Sequence, residues 1–89
     1  MKIPKHFTLA GTRWTVEEHV SMGENMGQCD SNTATIRLLK GLSDQVKAQT
    51  FCHELVHAIL FTMGHADQNE REVDAQGHLL HQFLQQFKP

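Results

Sequence analysis

The chain has 89 residues, 39% of them hydrophobic and 20% charged, which is material for one globular domain. Ten acidic residues against eight basic ones leave a net charge of −2. That excludes the basic field that binding nucleic acid or an anionic membrane requires. The first forty residues read as strands. Residues 6–10 form a short one, and Gly11-Thr12 turns the chain. Residues 13–20 alternate, with Trp14, Val16 and Glu18 on one side. Residues 21–27 hold two glycines and an asparagine and read as a loop. Residues 28–30 and 33–39 flank Ser31-Asn32 as a hairpin, with Thr35 to Leu39 its better strand. Gly41 ends this region. Ser43 then caps a helix over 44–63, with Asp44 in the first turn and Gly64 as its stop. Asp67 can cap a second helix over 68–87. Val73, Gly77, Leu80, Leu84 and Phe87 form its apolar stripe, and Gly77 allows close approach of the two backbones. A short loop makes the two helices antiparallel neighbours.

A domain this small buries only roughly 60–65% of the surface its unfolded chain exposes, so a bound metal would help hold it together. Two cysteines, Cys29 and Cys52, make neither a CxxC pair nor a disulfide framework, and they read as reduced thiols. No apolar run has the length of a signal peptide or a membrane span. The expectation is a cytoplasmic protein without an export signal.

The chemistry lies in His53-Glu54-Leu55-Val56-His57, an HExxH pattern. On a helix, positions i and i+4 share a face, so both imidazoles reach one metal ion. Neutral imidazole binds zinc at about 2.0–2.1 Å. Glu54 follows the first ligand, which sets its carboxylate beside the open coordination position. There it can act as general base on the attacking water. The bland alternative is a helix with three solvated polar side chains. A catalytic zinc site normally has a third protein ligand. The next helix offers Glu70-Arg71-Glu72-Val73-Asp74.

HExxH followed by ExxxD on a later helix resembles the gluzincin pattern of thermolysin-like peptidases. The short interval is similar to that of minimal metallopeptidases of phage and prophage origin and of the ImmA/IrrE-type group. The resemblance covers the C-terminal half by specific residues and the N-terminal half only as a strand pattern. It implies that Glu70 is the third zinc ligand and that Asp74 supports one of the histidines. Glu70 and Asp74 stand at i and i+4, so they share a face. His57 lies seven residues before Gly64 and Glu70 six after it, which brings them level in an antiparallel pair. Two other readings remain for the glutamates. Glu70 can serve a capping-box-like arrangement with Asp67. Glu72 can be the ligand instead, but it points roughly 200° away from Glu70, so both cannot bind one ion. Asp74 is otherwise a surface carboxylate. His57 is followed by Ala58-Ile59-Leu60 and no histidine until His65, which excludes the metzincin pattern.

A peptidase also needs a donor for the oxyanion, and this chain has no tyrosine. His78 or His81 on the second helix can fill that role, with Arg71 and His65 as weaker candidates. A polar helix face explains His78 and His81 equally well. Cys29 is a candidate zinc ligand in an inhibited form. His6 and His19 read as strand residues with no role. The resemblance gives Thr35 to Leu39 a second role, as an edge strand that pairs with an extended substrate. The expected fold is α+β and zincin-like: a small, mostly antiparallel sheet over residues 3–40 packed on two antiparallel helices. The expected reaction is zinc-dependent hydrolysis of a peptide or protein substrate, with no nucleic-acid or membrane partner. A zinc-bearing regulatory or interaction module and a metal-free helical hairpin are the alternatives.

Overall fold

A computed structural model describes residues 1–87. Four strands come first: β1 (His6–Leu9), β2 (Thr12–His19), β3 (Gly27–Asp30) and β4 (Thr35–Leu39). Two helices follow, α1 (Asp44–Thr62) and α2 (Glu70–Gln85). The chain is α+β, as its pattern predicts.

The sheet corrects one expectation. Its order is β1-β2-β4-β3, and β2 runs parallel to β4, so it is mixed rather than mostly antiparallel. Burial explains the order. β4 carries Ile36 and Leu38, both fully buried, and takes a central place where each neighbour covers it. β3 is Gly-Gln-Cys-Asp, short and polar, and it is left at the edge. A second correction follows from the same order. Thr35 to Leu39 is bonded on both sides, so it offers no free edge for a substrate; that edge belongs to β3.

The turns are local chemistry. Leu9 pairs with Thr12, so Ala10 and Gly11 form the two-residue turn, one position earlier than the pattern suggested. Both have positive φ, 46° and 83°, as a type I′ hairpin requires. After β3, Asp30 Oδ1 accepts from the backbone of Asn32 and Thr33 at 3.0 and 3.3 Å and rounds the chain into β4. β4 therefore starts at Thr35, not Thr33.

One face of the sheet packs on α1. Trp14, Ile36, Leu38, Phe51 and Ala58 form the core, with Phe7 stacked on Trp14. Glu18 projects from the same face to an ion pair with Lys47 on α1. On the other face, Arg37 bridges Glu17 and Asp30. α2 packs on α1 rather than on the sheet, so α1 lies between the two. This explains why α1 buries Ala48, Phe51, Cys52, Val56 and Ala58, more than one stripe's worth.

Both helices are capped. The Ser43 hydroxyl accepts from Val46 N at 3.3 Å, as predicted. Gly64 stops the first helical segment at φ 88°. The second cap differs from expectation. Asn69, not Asp67, accepts from Glu72 N at 3.1 Å, so α2 begins at Glu70. Of the predicted stripe, Val73 and Gly77 are buried, Leu80 and Leu84 are half-buried, and Phe87 is 67% exposed. No helix among the described residues is long and apolar enough to cross a membrane.

Candidate metal centre

The two histidines of the HExxH segment stand one turn apart on α1, their ring centroids separated by 5.1 Å. Glu70 opens α2, where the helix dipole favours a carboxylate. Glu70 Oε1 lies 2.7 Å from His53 Nε2, and Oε2 lies 3.2 Å from His57 Nε2. One ligand atom from each of His53, His57 and Glu70 falls within 4.8 Å of the others. Bonds of about 2.0–2.1 Å in a tetrahedron put ligand atoms roughly 3.3–3.4 Å apart. Measured from the single atom Glu70 Oε1, the two Nε2 atoms lie at 2.7 and 3.4 Å, the second at that value and the first a little short of it, so the three residues come close to the spacing that one ion of zinc's size needs.

The close approach of the helices has a sequence cause. A Cβ built on Gly77 would lie 2.9 Å from His53 Cα and 3.1 Å from His53 N. Any side chain there would push α2 off α1 at the turn that carries the first ligand. Gly77 thus sets the distance that Glu70, seven residues earlier on α2, must span.

Each imidazole is oriented from behind. His53 Nδ1 lies 3.3 Å from Asp74 Oδ1, the contact that the ExxxD spacing suggested. His57 Nδ1 donates to Gln68 Oε1 at 2.5 Å. The Gln68 amide nitrogen donates to the carbonyls of His65 at 2.8 Å and His57 at 3.5 Å, which fixes which end faces the ring. Both Nδ1 atoms thereby face an oxygen, and both Nε2 atoms converge on Glu70. Gln68 was invisible to motif reasoning. Its only signal is a polar side chain in the short loop just before the glutamate.

Glu54 is only 8% exposed, yet no side-chain hydrogen bond holds it among the described residues. It presses against the edge strand. A Cβ on Gly27 would meet Thr50 Cγ2 at 2.6 Å and Glu54 Cγ and Oε2 at 3.0 Å. Burial pushes its carboxyl above the ordinary range; His53 and His57 pull the other way, and Glu70 adds to the rise. Two cavities flank it. The larger, about 320 Å³, runs toward the start of α1 between Met26, Val46, Thr50, Asp74 and His78. The smaller, about 280 Å³, runs the other way past Cys29, His57 and Phe61. His53, Glu54, Glu70, Asn25 and Gly27 border both, so the two form one groove over the triad.

The remaining candidates separate clearly. His78 lines the larger cavity, with Nε2 3.6 Å from Asp74 Oδ2. His81 lines neither; it is 4% exposed and bonded to Gln85. Arg71, His65 and Glu72 are exposed and border neither cavity. Glu72 instead occupies the third position of α2, where its N–H is capped by Asn69. His19 pairs with Glu17 at 2.9 Å.

Cys29 borders the groove but lies outside the ligand cluster. Its thiol is pushed up to about 12, first by burial and then by the charges of Glu54 and Asp30. Burial raises Cys52 to about 11. Neither thiol is a ready nucleophile. At pH 8 both are expected to react with iodoacetamide at least ~100-fold slower in the folded metal-free protein than in denaturant. Rapid labelling of native protein, read by mass spectrometry, would contradict that packing.

No family model matches the chain, and neither does any curated protein or solved structure.

Proposed function

We propose that the protein is a gluzincin-type zinc peptidase with His53, His57 and Glu70 as ligands and Glu54 as general base. The observation that carries this reading is the convergence of three ligand atoms within 4.8 Å beside a buried carboxylate with no side-chain hydrogen bond of its own. A sheet, then a helix with both histidines, then a helix with the glutamate is the element order that the gluzincin resemblance implies. Bound zinc supplies Lewis acidity toward the scissile carbonyl and acidity to the attacking water. Glu54 takes the proton from that water and delivers it to the leaving amine. Asp74 and Gln68 hold the two rings in the tautomer that presents Nε2. His78 lines the same cavity as Glu54 and serves in this reading as the donor for the oxyanion.

Zinc is expected to bind at one ion per chain. At a hundredfold excess over its dissociation constant it should raise the melting temperature by roughly 10–20 °C. His57→Ala should abolish that rise. Calorimetric titration together with thermal melts checks both points. Metal-free protein that takes up no zinc and melts unchanged would remove the basis for this function.

A further inference from the structure

The charges around the groove are one-sided. Among the described residues, no lysine or arginine borders either cavity, while Glu54, Glu70 and Asp74 all do. Asp74 lies outside the ligand cluster, so its negative charge stays available to a ligand in the larger cavity. The larger cavity is also amphipathic. α2 contributes Glu70, Asp74 and His78 to its lining, α1 contributes Val46 and Thr50, and the connection between β2 and β3 contributes Met26. Met26 is 51% exposed although it is a large apolar side chain. Its place at the mouth of this cavity accounts for that exposure.

We propose that the larger cavity receives a lysine or arginine side chain of an extended peptide. The aliphatic stem lies along Met26 and Val46, and the charged head meets Asp74. The inference rests on the peptidase reading for the path of the peptide across Glu54. Long basic side chains bury their methylenes on apolar surface while the charged end stays near water and a counter-charge. Asp74 is suited to this second task. Its two oxygens face His53 at 3.3 Å and His78 at 3.6 Å, and a carboxylate has about four acceptor positions, so capacity remains. The Asp74 side chain is 59% exposed, so a cation reaches it without full desolvation. An acidic side chain would meet the Asp74 carboxylate and no lysine or arginine. A free C-terminal carboxylate fares no better, which points to peptide bonds away from a C-terminus.

The test measures binding apart from turnover. Zinc-loaded Glu54→Gln protein is titrated with end-blocked hexapeptides, identical except for one central arginine, norleucine or glutamate. Fluorescence anisotropy at low salt reads the affinities. The arginine peptide is expected to bind about tenfold tighter than the glutamate peptide, with norleucine between them. That is the size expected when one partly exposed attraction becomes a repulsion. Gln49 lines the same cavity. Gln49→Lys places a cation there and should shrink the gap to about threefold or less. Equal affinities, a preference for glutamate, no binding of any peptide, or a gap untouched by Gln49→Lys would each overturn the proposal. Cleavage of the arginine peptide by the unmutated zinc-loaded protein is scored separately. Charge-selective binding without cleavage supports this recognition site and counts against the peptidase.

Discussion

Gly77→Ala is expected to destabilise the protein and cost it zinc, although the same change in an exposed helix would stabilise. Replacing a mid-helix glycine with alanine gains about 0.5–1 kcal/mol of helix propensity. Here the new methyl would sit 2.9 Å from His53 Cα, a backbone atom that cannot rotate away. Overpacking of this kind costs typically ~1–3 kcal/mol, so the steric term outweighs the propensity gain. The helices relieve the clash by separating. His53 and Glu70 stand on opposite sides of that separation. Metal–ligand distances tolerate only about ±0.2 Å, so small movements matter. Zinc affinity should fall by about 10–100-fold, comparable to losing a partner that orients a ligand. Urea melts of the metal-free protein and a competition titration with a chelator check both effects. A more stable Gly77→Ala protein with unchanged affinity would show that helix contact does not govern the ligand geometry.

Glu54→Gln separates catalysis from metal binding. Glutamine keeps the shape of the side chain and its fit against Gly27 and Thr50, but it cannot take a proton. Glu54 is absent from the cluster of His53, His57 and Glu70, so zinc stoichiometry and affinity should stay as they are. Peptide hydrolysis should drop by about 10²–10⁴-fold, the usual contribution of a positioned general base. Cleavage of a fluorogenic peptide by both proteins at equal zinc loading measures the ratio. Full activity in the Gln variant would exclude Glu54 as the base. Loss of zinc along with activity would mean that Glu54 helps to hold the ion.

How much of this was legible depends on whether the information is local. HExxH on a helix is a statement about residues four apart, and the helix carries it into space unchanged. Periodicity on the neighbouring helix puts Asp74 on the face of Glu70, and the gluzincin resemblance implies that it supports one of the histidines; that the histidine is His53 came from the structure. Gly77 was legible too, as a small residue on an apolar stripe. The order of the strands was not. Residues 28–30 and 33–39 show a hairpin, but nothing in them says on which side of β2 that hairpin docks. The outcome turns on Ile36 and Leu38 needing cover from both neighbours, which is a property of the whole sheet. The start of α2 was ambiguous for another reason. Asp67, Gln68 and Asn69 are three consecutive polar residues, each able to bond a backbone group. Asn69 takes the cap, Gln68 is drawn to His57, and Asp67 is left to solvent. The bond between Gln68 and His57 thus accompanies a helix boundary that propensity alone leaves open.

The parallel pairing of β2 with β4 has a further cost and use. A chain that leaves β2 must step over the slot β4 will fill before laying down β3, and residues 20–26 make that step. The overhang ends in Asn25 and Met26, which rim the larger cavity. The connection that threads the sheet therefore also forms part of the wall of that cavity. Changes in its length should alter what gets in long before they alter how the domain folds.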